Sequence, residues 1–338
     1  MSSSRPPRLG IGLPVYNGEV YLAGAIQALL GQTFENFELI ISDNASTDAT
    51  EDICRDAAAR DSRVRYFRQD RNIGAFPNHN FVFEQSRSEL FKWASHDDLY
   101  ARDLVERCVT ALDERPDVVL AHSWTAVIDD TDAVTAAVEY PLSTASPSAP
   151  ERFRSMLFDD GRDDDYGVIR SAVLRSVPPH GSHHRSDRTI MAELVLRGPF
   201  HQVPDWLYFR RHHAMSLEGS AQTIRAKCVA WDPRRANRWR HPVARLLAEY
   251  VWAYVAAIGR APLSSADRAA CYRHLGTWLA SRAMRRTVHA GARGRPWASM
   301  LPAEGPQPGV APDAISRVRA VAGAVAGRER HAATKRPA

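Results

Sequence analysis

Three short polar stretches carry residue types that do chemistry: Leu13-Pro-Val-Tyr-Asn-Gly-Glu19, Ile41-Ser-Asp-Asn-Ala-Ser-Thr-Asp48 and Trp93-Ala-Ser-His-Asp-Asp98. The adjacent carboxylates Asp97 and Asp98 are hard oxygen ligands suited to Mg2+ or Mn2+. Asp43 can accept from the ring N–H of uracil, thymine or guanine, with Tyr16 as an aromatic wall beside it. The chain has no G-x-x-x-x-G-K-[ST] loop to cradle phosphate, so a diphosphate held here needs a divalent cation. Further on, Gly181-Ser-His-His-Arg-Ser-Asp-Arg188 precedes Ile190, Met191, Leu194 and Val195 at helical spacing, which sets Asp187 at a helix start, where Asp commonly caps. Glu193 is a second carboxylate on that helix. The run Trp206-Leu-Tyr-Phe-Arg-Arg-His-His213 closes another apolar segment.

The elements that must position these residues follow from periodicity. Short apolar runs at Leu9–Val15, Phe37–Asp43, Val64–Phe67, Glu89–Ala94 and Val118–His122 read as strands. Between them, 19–32, 47–60, 76–86 and 103–114 read as helices, with Ser46 or Thr47 available to cap the second. Strands alternating with helices of this length imply parallel βαβ units, and ligands of such sheets sit beyond the carboxyl ends of the strands. The three polar stretches occupy those ends. Residues 141–150 read as a linker, and 220–290 as helical, with Val243, Leu246, Leu247, Tyr250, Val251 and Tyr254 as a stripe for core packing or a subunit contact in a homo-oligomer.

Of the 338 residues, 44% are hydrophobic and 25% charged, which excludes a disordered or collagen-like chain. No apolar run reaches the ~18 residues of a membrane span, and the N-terminus lacks the pattern of a signal peptide, so the protein is expected to be cytoplasmic. Cys54, Cys108, Cys228 and Cys271 form no C-x-x-C pair and are expected as reduced thiols. The net charge of +5 is uneven: residues 282–338 hold 11 Lys+Arg against 3 Asp+Glu. Such a tail suits peripheral contact with the inner face of an anionic membrane better than nucleic acid, and no nucleic-acid partner is expected.

Taken in order, the polar stretches resemble those of the family 2 inverting glycosyltransferases of the GT-A fold. A P-x-Y-N turn is matched by Pro14, Tyr16 and Asn17, with Glu19 two residues beyond. A D-x-x-S-T-D turn is matched by Asp43, Ser46, Thr47 and Asp48, and an R-N-x-G segment by Arg71, Asn72 and Gly74. The acidic metal motif is matched by His96-Asp97-Asp98, although Ser95 stands where the family has a further acidic residue. The resemblance is close over 8–125 and looser to about 215. It implies an α/β, mostly parallel sheet with helices on both faces and a helical C-terminal extension. The expected layout is a nucleotide-sugar-binding half at 1–130, an acceptor-binding half at 131–217, a helical region at 218–290 and a flexible basic tail at 291–338.

The resemblance also implies roles. A nucleoside-diphosphate sugar, UDP- or dTDP-linked, would be the donor, lined by Pro14, Tyr16, Asn17, Glu19, Asp43, Asn72 and Gly74. Asp97 would hold the ribose and Asp98 the Mg2+ or Mn2+, joined by His213, with Arg210 or Arg211 on the diphosphate. Asp187 would be the base that deprotonates a glycan, lipid-linked or small-molecule acceptor, with Glu193 as its substitute. A zinc site of His183, His184, His212 and His213 is disfavoured, because nothing fixes a tetrahedral set. Two rivals are a degenerate, non-catalytic binding module and a sugar-phosphate nucleotidyltransferase. A nicotinamide oxidoreductase is excluded because Gly10 and Gly12 fall inside a strand and Val15 replaces the third glycine.

Overall fold

The computed structural model describes residues 6–158, 163–213 and 223–290, and of 283–290 only the backbone. The basic tail at 291–338, with the weak helix expected near 313–326, lies outside the described residues.

The N-terminal strands form as the apolar runs dictate: β1 (Leu9–Val15), β2 (Phe37–Asp43), β3 (Val64–Arg68) and β4 (Leu90–Trp93). They run parallel in the order β3-β2-β1-β4. Every residue of β1 and β2 is buried, as a strand covered on both faces requires. The crossovers are α1 (Leu22–Leu30), α2 (Thr50–Arg60) and α3 (Ala75–Gln85). Each is shorter at its N-terminus than, or within a residue of, the span its periodicity suggests, because the polar loops take up the difference. Neither Ser46 nor Thr47 caps α2. Its first free N–H, on Thr50, is met by Asp48 at 3.1 Å.

Beyond β4 the sheet turns mixed. A two-residue strand, β5 (Leu99–Tyr100), precedes α4 (Leu104–Glu114), and β6 (Leu120–Ile128) is longer than its apolar run. After β7 (Val134–Val138) and α5 (Ala149–Phe158) come β8 (Val168–Arg170), α6 (Ser171–Arg175), α7 (Ser186–Val195) and β9 (Phe200–Arg211). The full order is β3-β2-β1-β4-β8-β6-β9-β5, with β7 on β6. β8 sits antiparallel to both β4 and β6, β9 runs parallel to β6, and β5 lies antiparallel to β9. Pairing of Leu99 with Phe209 and of Tyr100 with Tyr208 brings the end of β9 beside the 95–98 turn.

The C-terminal helices are α8 (Ile224–Trp231), α9 (Val243–Arg260) and α10 (Ser265–Ala290). Tyr250, Tyr254, Ala257 and Ile258 of α9 and Cys271, Leu275 and Trp278 of α10 share one core with Phe153 and Leu157 of α5 and Ala192 and Leu196 of α7. Of the expected apolar stripe of α9, Leu246, Tyr250 and Tyr254 are buried in packing, whereas Val243 is exposed. All four cysteines are free and buried. No helix among the described residues is long and apolar enough to cross a membrane.

Candidate active site

The loops that end β1 and β2 are sewn together by hydrogen bonds between side chains and backbone. Asn17, in the left-handed region at φ 50°, donates its N–H to Ser46 Oγ at 2.9 Å and accepts the Thr47 N–H on its Oδ1 at 3.0 Å. Gly18 donates to Thr50 Oγ1 at 2.8 Å, and Glu19 donates to Asp48 while accepting from the Ala49 N–H. A Cβ on Gly18 would lie 2.8 Å from the His96 ring and 2.6 Å from Val15, so glycine is what lets the 95–98 turn approach. The Asn17 and Glu19 side chains thus shape the loop rather than line a pocket. Pro14 lies inside β1, buried, and Tyr16 stands 45% exposed at its end.

Asp43 departs from its expected role as a base acceptor. It is wholly buried, and its oxygens accept from the Ser46 N–H at 2.8 Å, Tyr66 Oη at 3.1 Å and Arg68. Register explains the set: β3 pairs Tyr66 with Ile41 and Arg68 with Asp43, so these two alternate residues reach the same carboxylate. Asp43 fixes its donors, and Arg68 and Tyr66 are the groups with access to solvent. Asn72 likewise serves the chain. Its Oδ1 accepts from Asn44 at 3.0 Å and from the Gly74 N–H at 2.8 Å. Gly74, at φ 94°, starts α3 where a Cβ would stand 2.5 Å from the Trp231 carbonyl oxygen.

The two adjacent aspartates have opposite surroundings, and Asp98, the expected metal ligand, is the more enclosed of the two. Asp98 is 4% exposed, and its oxygens accept from the Arg211 N–H at 2.7 Å and from Tyr208 Oη. Burial first, then the charge of Asp97, pushes its carboxyl well above the usual range. Asp97 keeps its side chain 15% exposed and meets His213 Nε2 at 3.0 Å. Burial would raise its carboxyl, but His96 and hydrogen bonds from His213 and Ser95 outweigh that and hold it low. His213 Nδ1 is buried without a partner, and its ring packs on Tyr21 at 4.9 Å. The carboxylate oxygen is a hard donor that suits Mg2+ or Mn2+, and the imidazole nitrogen beside it is a borderline one. No cluster of three ligating side chains exists among the described residues.

Arg211 does not face a diphosphate. Its guanidinium reaches the carbonyls of Asp97 and Asp129, each at 2.8 Å, and Asp132 at 2.6 Å, and lies over the Tyr21 ring. It holds the 95–98 turn in place. The four histidines considered for zinc do not converge: His183 and His184 pack near Tyr250, whereas His213 sits with Asp97. Glu193, the expected substitute base, is turned away from solvent. It is buried and paired with Arg197 at 2.8 Å and with Arg260 of α9.

Asp187 lies in the first turn of α7, where its carboxylate bonds the Arg188 backbone, but its Oδ1 is buried without a partner, as is the Oγ of Ser186. Burial lifts its carboxyl above the ordinary value against the opposing pull of Arg188. Arg188 turns instead to Asp164 at 2.7 Å. The acidic run Asp163-Asp164-Asp165 feels Asp187 at one end and Asp98 at the other. Behind it Lys92 is buried, donating to the Tyr166 carbonyl, and burial brings its ammonium down to about 8. Motif reasoning passed over Lys92, Tyr208, Tyr66 and Asp163–Asp165. Only the period-two spacing of Tyr66 and Arg68 and the run of three acids signalled any of them.

Residues 11–169 match the glycosyl transferase family 2. An uncharacterized glycosyltransferase of Rickettsia typhi is 35% identical over 108 residues, 32% of this chain and 33% of that protein. The glycosyltransferase GlyG of Streptococcus pneumoniae is 28% identical over 117 residues, 34% of this chain and 39% of that one. The match thus spans well under half the length of these curated relatives. In fold, the chain is similar to a fragment of S. aureus TarS, residues 1–349, solved in complex with UDP-GlcNAc, with TM-score 0.52 and 15% identity over 82% of this chain and 92% of that one. Over residues 11–169 the chain is thus similar to glycosyl transferase family 2, and its fold is similar to that of the TarS fragment.

Proposed function

We propose that the protein is a metal-assisted, inverting glycosyltransferase of the cytoplasm. It moves a sugar from a nucleoside-diphosphate sugar, UDP- or dTDP-linked, to a hydroxyl or amine of a glycan, a lipid-linked glycan or a small secondary metabolite. The observation that carries this is the approach of Asp97 and His213 to 3.0 Å at the strand ends, beside the loops of β1 and β2. These two side chains would hold the divalent cation, with waters and donor oxygens as its remaining ligands. Bound there, the ion would neutralise charge on the leaving diphosphate.

The chain's own residues supply the rest. Tyr16 walls the base, and Arg68 and Tyr66, fixed by Asp43, offer donors to its carbonyl edge. The complex of the TarS fragment with UDP-GlcNAc supports a uridine nucleotide within this class. Asp187 takes the proton of the acceptor as the acceptor's oxygen or nitrogen attacks the anomeric carbon. The bond from that carbon to the diphosphate oxygen breaks on the opposite side, and the electron pair leaves with the nucleotide. Burial suits Asp187 to this, since a raised carboxyl is the stronger base.

Release of nucleoside diphosphate from UDP-, dTDP- and GDP-sugars, with Mn2+ or with EDTA, tests the proposal. Turnover of one pyrimidine donor that stops with EDTA is the expected result. Metal-dependent nucleotide binding with no turnover on any acceptor would favour the non-catalytic module instead.

A further inference from the structure

The connection between α8 and α9 presents tryptophan to solvent in a basic setting. From Thr223 to Leu246 the chain holds seven Arg or Lys and one acid, Asp232. Trp239 is 82% exposed and lies between Arg238, whose guanidinium covers its ring at 5.0 Å, and Arg240. The turn is held firmly. Asn237 Oδ1 accepts the N–H groups of Trp239 at 3.0 Å and Arg240 at 3.1 Å, and Arg225 donates to the carbonyls of Ala236 and His241. Arg245 Nη1 donates to the Arg240 carbonyl at 2.8 Å, which sets the turn on the outer face of α9. Trp252, 67% exposed, lies on that same face seven residues on, a rise of ~10.5 Å.

Charge accounting singles out two of the arginines. Arg234 pairs with Asp232, and Arg235 and Arg245 share Glu249. Arg238 and Arg240 have no carboxylate partner among the described residues. Exposed tryptophan with unpaired arginine is the composition that settles at a lipid–water interface, where the indole sits at headgroup depth and the cations meet anionic headgroups. A second copy meeting through the same face would set like charge against like, and so would the basic segment at 282–338.

We propose that the Arg238–Trp239–Arg240 turn and the outer face of α9 dock the protein on an anionic lipid surface. The face lies close to the proposed base: Asp232, at the head of the turn, accepts from Ser182 at 2.5 Å, five residues before Asp187. Docking by this face does not depend on whether the acceptor itself is lipid-linked.

Co-sedimentation of the full chain with vesicles containing phosphatidylglycerol, and with vesicles of phosphatidylcholine alone, tests this. The chain should sediment with the anionic vesicles only, less so as salt rises, and brominated acyl chains should quench its tryptophan fluorescence. Trp239→Ala, and separately Arg238→Glu with Arg240→Glu, should each lower the partition coefficient about tenfold or more while nucleotide binding is unchanged. Variants that sediment as the parent does would place membrane contact elsewhere and overturn the proposal. So would a parent chain that ignores anionic vesicles, whether or not it self-associates or binds an acidic polymer such as polyglutamate.

Discussion

The loops that end β1 and β2 and the chain from β6 onward treat their buried polar groups differently. Among the described residues, every buried side-chain polar atom that lacks a hydrogen-bond partner falls at or after His122. Before it, Asn17, Asp43, Asn44, Ser46, Asp48, Thr50 and Asn72 bond one another's loops. After it, Asp187, Ser186, His180, His184 and His213 each keep an unpartnered atom. Unsatisfied buried groups cost about 1–3 kcal/mol each, and proteins retain them where function uses them. The loops that end β1 and β2 are thus a finished frame, and the unpartnered atoms, from His122 of β6 onward, include those of Asp187 and His213 in the proposed site.

The largest test of that contrast is Asp187→Asn. It should lower kcat by about 10²–10⁴-fold with little change in donor KM. Because the folded-state carboxyl is raised, its stabilising contribution is present only below the unfolded value of 3.8 and is lost as pH rises through the folded one. The variant should therefore melt at the same temperature as the parent or higher at neutral pH, and kcat of the parent should rise with pH as Asp187 ionises. A variant that lost stability instead would make Asp187 part of the frame.

Asp43→Ala is the reverse experiment. Removing the carboxylate strands Arg68 and Tyr66, so urea unfolding should show a loss on the order of 3 kcal/mol, with nucleotide binding weakened as a consequence. The acid limb of the stability curve should report the buried histidines of both regions. Burial brings His79 and His184 down to about 4 and His180 well below its usual value. Histidines lowered in the folded state lose stability as pH falls from the unfolded value of 6.5 toward 4. His79 alone accounts for about 3 kcal/mol of that, so Tm should drop steeply across this window. Smallest is Asn17→Ala, which removes the Thr47 contact and should lower stability by about 1 kcal/mol while leaving kcat near that of the parent.

The same contrast governs what could be read in advance. The parallel strands, their crossovers and the strand-end position of each polar stretch follow from local periodicity, because each βαβ unit is built from adjacent sequence. Within the motifs, spacing marked polar residues at the strand ends but not their contacts: Asp43 is buried on Arg68 and Tyr66, and Asn72 bonds Asn44 and Gly74. Assignments that depend on distant pairing were out of reach. Tyr208 and the Arg211 N–H take both oxygens of Asp98, across more than 100 residues, and so leave Asp97 as the carboxylate that faces His213. The mixed half of the sheet failed for the same reason, since β8 inserts antiparallel between β4 and β6 with only three residues of its own. The place of Asp187 in the first turn of α7 was legible because a helix start is a local signal.

The central claim is that Asp97 with His213, and not Asp98, holds the cation that binds the diphosphate. Calorimetry of UDP binding with Mn2+, and again with EDTA, on the parent, Asp97→Ala and Asp98→Asn tests it most directly. The account predicts binding to the parent that EDTA abolishes, loss of that binding in Asp97→Ala, and its retention within a few-fold in Asp98→Asn, whose amide can still accept from the Arg211 N–H and donate to Tyr208. Metal-dependent binding that survives in Asp97→Ala and vanishes in Asp98→Asn would contradict it.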